Sequence, residues 1–193
     1  MSEAARGRRE PGAPWKPTKE QLSAAEGSRV PDVIGPGLKV LFCGINPGLY
    51  SGAVGHHFAR PGNRFWPALE ASGFTSRRID PFEERVLLDL GLGITNIVER
   101  ATARADALSA DELRAGGRRL ARKVRRFRPR FVALLGLTAY RAAFDRPRAS
   151  VGRQVERIGD TEVWLLPNPS GLNAHYQAPD LARVFAELRA AAG

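Results

Sequence analysis

A chain of 193 residues, 43% hydrophobic and 26% charged, is long enough to bury a core unaided, so one compact domain is expected. Its single cysteine, Cys43, excludes an internal disulfide and cannot supply an iron–sulfur cluster or a structural zinc site. Thirty Lys and Arg against twenty Asp and Glu leave a formal charge of +10, an excess that points to a polyanionic partner such as nucleic acid, although coding bias toward arginine also feeds it.

No apolar run is long enough to cross a bilayer, and no charged-then-apolar leader opens the chain, so a cytosolic protein is expected. Residues 1–32 mix Arg, Pro, Gly and Glu without periodicity and read as a flexible basic tail, leaving 33–193 as the domain. Apolar runs at 38–44, 93–98, 131–136 and 162–167 predict four strands of the kind buried inside a parallel sheet. Helical spacing predicts helices near 64–72, 82–90, 110–127, 138–144 and 179–191. Strands alternating with helices imply an α/β fold, a three-layer α/β/α sandwich around a mostly parallel four-stranded sheet. In such sheets ligands bind beyond the carboxyl ends of the strands.

Two loops fall at that edge. After the first strand comes Gly44-Ile45-Asn46-Pro47-Gly48, whose glycines and proline force a tight backbone around one polar side chain. After the last comes Asn168-Pro169-Ser170-Gly171-Leu172-Asn173, a second rigid turn that offers an apolar leucine where solvent is expected. Either segment alone reads as an ordinary turn.

Together, GINPG and NPSGLN resemble the paired motifs of the mismatch-specific uracil/thymine DNA glycosylases, the second family of the uracil-DNA glycosylase superfamily. The segments 55–66 (GHHFARPGNRFW) and 93–100 (GITNIVER) are similar to that family's internal segments, so the resemblance runs from about Leu38 to the C-terminus. It implies a monomeric enzyme that takes uracil-containing or mismatched double-stranded DNA, flips the pyrimidine out and hydrolyses its N-glycosidic bond without a cofactor. If the source is bacterial, the enzyme would be nucleoid-associated. By the same resemblance Asn46 orients the attacking water, Phe58 stacks on the extruded base, and Ser51 and Asn96 stand near the pocket with Gly44, Ile45, Pro47 and Gly48. Leu172 corresponds to the wedge that fills the vacated stack, with Gly171 and Asn173 beside the widowed base and Asn168, Pro169 and Ser170 completing the loop. An apolar wedge offsets unstacking, which costs a few kcal/mol.

An amide is no base near neutral pH, so Asn46 can align water but not take its proton, and departure of the base as an anion ahead of water attack is favoured. Asp89, shortly before the second strand, is the alternative water activator, against the bland reading of a solvated helix-end carboxylate. His56 and His57 stand either at the pocket rim or in a plain loop. With His175 they lack the spacing of a metalloprotease pair, so no metal is expected. Residues 114–130 hold nine basic and no acidic side chains with apolar residues at helical spacing, which predicts a helix whose basic face is solvated or lies along phosphates. No lysine sits in either motif loop, which argues against lyase chemistry. Two alternatives stay open: another base preference, and a catalytically weak DNA-binding module on the same fold.

Overall fold

The computed structural model describes residues 16–193. Four strands are buried from end to end: β1 Val40–Gly44, β2 Leu92–Asn96, β3 Phe131–Leu135 and, but for half-buried Glu162, β5 Thr161–Leu166. They pair in parallel, and the sheet runs in the order β2-β1-β3-β5-β4. The fifth strand, β4 Gly152–Ile158, is antiparallel to β5 and was not expected: its sequence is GRQVERI, mostly polar and exposed, so it carries no continuous apolar run. The expectation of four strands is therefore corrected to five.

Alternate side chains of each buried strand enter two separate cores, as a pleated strand covered on both faces requires. Val40, Phe42, Ala133, Leu135, Trp164 and Leu166 face α3 (Phe65–Ala71) and α6 (Ala178–Ala192), whose Phe65, Leu69, Leu181 and Phe185 complete that layer. Leu41, Cys43, Val132, Leu134, Val163 and Leu165 face α4 (Ala110–Phe127) and α5 (Leu137–Phe144) through Leu120, Val124 and Tyr140. Burial pushes the Cys43 thiol well above its ordinary range, which makes it an inert part of this core.

Two short helices lay outside the expectation, α1 (Lys19–Ala24) and α2 (Leu49–Val54), and residues 81–90 form a 3-10 helix instead of an α-helix. The reading of residues 1–32 as tail does not hold over its described part. Ala25 and Val30 are buried, Val33 exchanges two backbone hydrogen bonds with Ile94 at the sheet's β2 edge, and Asp32 pairs with Lys123 of α4. Residues 1–15 of that segment lie outside the described residues. No helix among the described residues is long and apolar enough to cross a membrane.

Because β2 and β3 lie on opposite sides of β1, the chain switches direction there, and the crevice opens at the carboxyl ends of β1 and β3.

Candidate functional site

The loop leaving β1 is clamped by the loop leaving β2. Val98 N–H donates to Ile45 O at 2.9 Å, Ile97 N–H to Gly44 O at 2.9 Å and Thr102 N–H to Pro47 O at 3.1 Å. Inside this clamp the Asn46 Nδ2 donates to Thr102 Oγ1 (2.7 Å), Arg100 O (3.0 Å) and Pro47 O (3.2 Å). Two of those partners are carbonyls, which only accept, so the atom facing them must be the amino nitrogen and the carboxamide cannot be turned over. Its Oδ1 is left as an acceptor on the opposite side. Thr102, buried, passes its own hydroxyl proton to Arg104 O at 2.8 Å and so keeps a lone pair for Asn46.

Asn96, at the end of β2, is oriented by a chain of equal definiteness. His57 Nε2 lies 3.0 Å from Pro31 O and therefore carries the ring proton, leaving Nδ1 as acceptor for Asn96 Nδ2 at 3.3 Å. Burial holds the His57 pKa below its ordinary value against the Glu84 carboxylate, which keeps the ring neutral as this arrangement requires. Asn96 Oδ1 consequently faces Gly44, where a Cβ would stand 2.5 Å from it. The same imaginary Cβ would stand 3.1 Å from Phe58 Cζ, so only a residue without a side chain lets the amide oxygen and the aromatic edge pack this closely on the end of β1.

Phe58 is half-buried, with its ring stacked on Phe65 at 4.2 Å and its backbone in the left-handed region at φ 52°. That conformation costs a non-glycine residue roughly 1 kcal/mol or more and persists where the surroundings enforce it. Here they do: Ser51 Oγ accepts from Ala59 N–H at 3.2 Å, and buried Glu84 accepts from His57 N–H at 2.8 Å and faces His56 Nδ1 at 2.9 Å. Ser51 thus shapes the Phe58 turn.

The loop after β5 reaches the same rim. Gly136, at the end of β3, would press a Cβ within 2.9 Å of Ile45 Cδ1 and 4.0 Å of Asn168 Cβ, so the two motif loops converge above this one glycine. Within the second loop, Asn168 Oδ1 accepts from Ser170 N–H at 3.0 Å and Asn173 Nδ2 donates to Asn168 O at 2.9 Å. Ser170 Oγ accepts from Leu172 N–H at 3.3 Å, and Gly171 lies so near Gly62 O that a Cβ would come within 2.8 Å. Pro169 is buried, whereas Leu172 stands 79% exposed.

The structure brings together Gly44, Ile45, Asn46, Pro47, Gly48, Ser51, Phe58, Asn96 and the 168–173 loop. It does not bring Asp89 to them. Asp89 is exposed at the end of the 3-10 helix, before β2 begins, while Asn46 follows the other end of paired β1. Five residues of strand separate those edges by about 16 Å, so Asp89 is corrected to a surface carboxylate. Sequence reasoning missed Arg64, Glu84 and Thr102. Glu84 alone left a signal, a charged residue at helical spacing from Leu87 on a buried face.

A parallel-centred sandwich with two polar loops converging at its switch point is an α/β/α fold of the kind in which ligands bind at the sheet's carboxyl edge. The model of the Uracil DNA glycosylase superfamily matches residues 31–189, and the chain belongs to that superfamily. The solution structure of a candidate uracil DNA glycosylase from Methanosarcina acetivorans superposes with a TM-score of 0.54, covering 84% of this chain and 98% of that one at 15% identity, which confirms the fold.

Proposed function

We propose that the chain is a monofunctional DNA glycosylase that flips uracil, and thymine or related pyrimidines opposite guanine, out of duplex DNA and hydrolyses the N-glycosidic bond. The observation that carries this reading is the Asn46 carboxamide, locked through Nδ2 by three acceptors and offering Oδ1 at the rim from which Leu172 projects. Water held by that oxygen is aligned without being deprotonated, so the C1′–N1 bond breaks first and water adds to an oxocarbenium-like sugar. Asn96 Oδ1 suits the N3–H shared by uracil and thymine and repels the bare N3 of cytosine. Phe58 supplies an aromatic surface for the extruded ring. Hydrolysis fits better than lyase chemistry, because no lysine sits in either motif loop, Lys123 is paired with Asp32 and Lys39 lies at the opposite edge of the sheet. The partner is double-stranded DNA carrying uracil or a mismatch, engaged by a monomer in the cytosol and, in a bacterium, at the nucleoid.

Incubating the purified chain with labelled duplexes carrying G·U, G·T or A·U, and with single-stranded U, followed by alkaline cleavage, tests the reading. Base release that drops on the order of a hundredfold or more in Asn46→Ala, with duplex binding kept, is expected for a lost water-positioning group. Unchanged release in Asn46→Ala sinks the mechanism, and no release from any substrate leaves a silent binding module.

A further inference from the structure

The segment from Asn168 to Tyr176 has no regular structure, yet its carbonyls converge on one side chain. Arg64 donates its backbone N–H to Pro169 O at 2.9 Å, Nη1 to Tyr176 O at 2.7 Å, and Nη2 to Ser170 O at 2.5 Å and Asn173 O at 2.8 Å. Two of these acceptors precede Leu172 and two follow it, so the loop is curled around a cation with its leucine turned outward. A guanidinium presents its donors in one rigid plane and can hold several carbonyls at once, whereas an ammonium on a flexible stem cannot reproduce that fork. Arg64 Nε is buried with no partner among the described residues, so the whole side-chain grip passes through the two Nη atoms.

The next residue ties this grip to the pocket. Phe65 is fully buried and carries Phe58 on its ring at 4.2 Å. Adjacent residues at the start of α3 therefore support the aromatic wall and the leucine loop, and set the spacing between them.

We infer that Arg64 is a positioning residue that holds the 168–176 loop curled before DNA arrives, so that Leu172 enters the duplex without first having to be ordered. Fixing loop backbone in advance removes an entropic cost from the insertion step. The kinetic consequence rests on the glycosylase reading, and the structural one does not.

The test uses Arg64→Ala and Arg64→Lys in two measurements. Amide exchange of residues 170–176 should rise in both variants while β5 and α6 keep their protection. On duplex G·U, kcat should fall on the order of tenfold to a hundredfold, as misplacement near 1 Å can cause. Single-stranded U, which leaves no stack to refill, should lose little. Millimolar guanidinium should restore part of the Arg64→Ala loss, and adding Arg64→Ala to Leu172→Ala should cost nothing further. Unchanged exchange in the loop, or equal losses on duplex and single strand, overturns the proposal. If Arg64→Ala does not fold, Arg64→Lys carries the same comparison. If the wild-type chain releases no base at all, the glycosylase reading fails while the exchange measurement still decides whether Arg64 orders the loop.

Discussion

Gly44 shows how a missing side chain can be a functional group. Its backbone is ordinary extended strand, so alanine is conformationally acceptable, but the added methyl must displace Asn96 Oδ1 or the Phe58 ring. Gly44→Ala is expected to fold with a loss of about 1–3 kcal/mol from overpacking. Base release should fall on the order of tenfold or more; denaturant titration beside single-turnover kinetics checks both, and unimpaired excision would show that this close packing does not matter to the chemistry. His57 sets a pH limit on the same packing. Its folded pKa lies below the ordinary 6.5, so between those values the unfolded chain binds the extra proton, and stability present above about pH 6.5 is lost as pH falls. Unfolding midpoints measured from about pH 7.5 down to about pH 5.5 should decline, and the decline should be shallower in His57→Gln. The turn-forming neighbours of Asn46 and Leu172 mark their loops in the sequence, while the roles expected of the two side chains come from the family resemblance. Arg64 and Thr102 were not legible there, since each acquires its meaning from acceptors or donors about 50 to 110 residues away. Of the two readings of Asp89, the solvated helix-end carboxylate is the one its position supports, since nearness in sequence to β2 places it at the far end of that strand from Asn46.

Among the elements, α4 is the one whose sequence looks least suited to its role. Gly116 and Gly117 interrupt its middle, and glycine in a helix costs roughly 0.5–1 kcal/mol each relative to alanine. The return is close approach: a Cβ at Gly116 would strike Ile97 O, and one at Gly117 would lie 2.6 Å from Ala143 O of α5. Ile97 adjoins Asn96, so α4 braces the strand end that carries the Asn96 amide. Gly116→Ala should therefore destabilise by about 1–3 kcal/mol, the backbone clash outweighing the propensity gained, as a denaturant midpoint will read. Ser109 and Glu112 form a capping box at its start, in agreement with the limits of 110–127 read from helical spacing. The central strands were equally legible, since two covered faces demand unbroken apolar runs. β4 was not, being an edge with one face in water, a register shift between Arg153 and Arg157, and Val155 98% exposed. α1 carried a capping box of its own, Thr18 with Gln21, hidden by charged and proline-rich surroundings.

At the scale of the described molecule, part of the positive charge lies away from the rim. Arg125, Arg126, Arg128 and Arg130 precede the amino edge of β3, opposite the loops that hold Asn46 and Leu172, and the first three occupy the last turn and C-cap of α4, where cations are favoured anyway. Duplex affinity should fall steeply with added salt, yet Arg125→Gln with Arg126→Gln should change the log–log slope by less than about one phosphate contact. A drop of two or more would place DNA along α4 after all.

The backbone exchange between Val33 and Ile94 and the ion pair of Asp32 with Lys123 give the residues before the first strand a duty unrelated to polyanions. They lie along the outer side of β2 as a selvedge finishes cloth, using hydrogen-bonding groups that a neighbouring molecule could otherwise take up. A fragment trimmed to begin at residue 38 would keep every rim residue, yet it would bare a strand border and invite molecules to join along it.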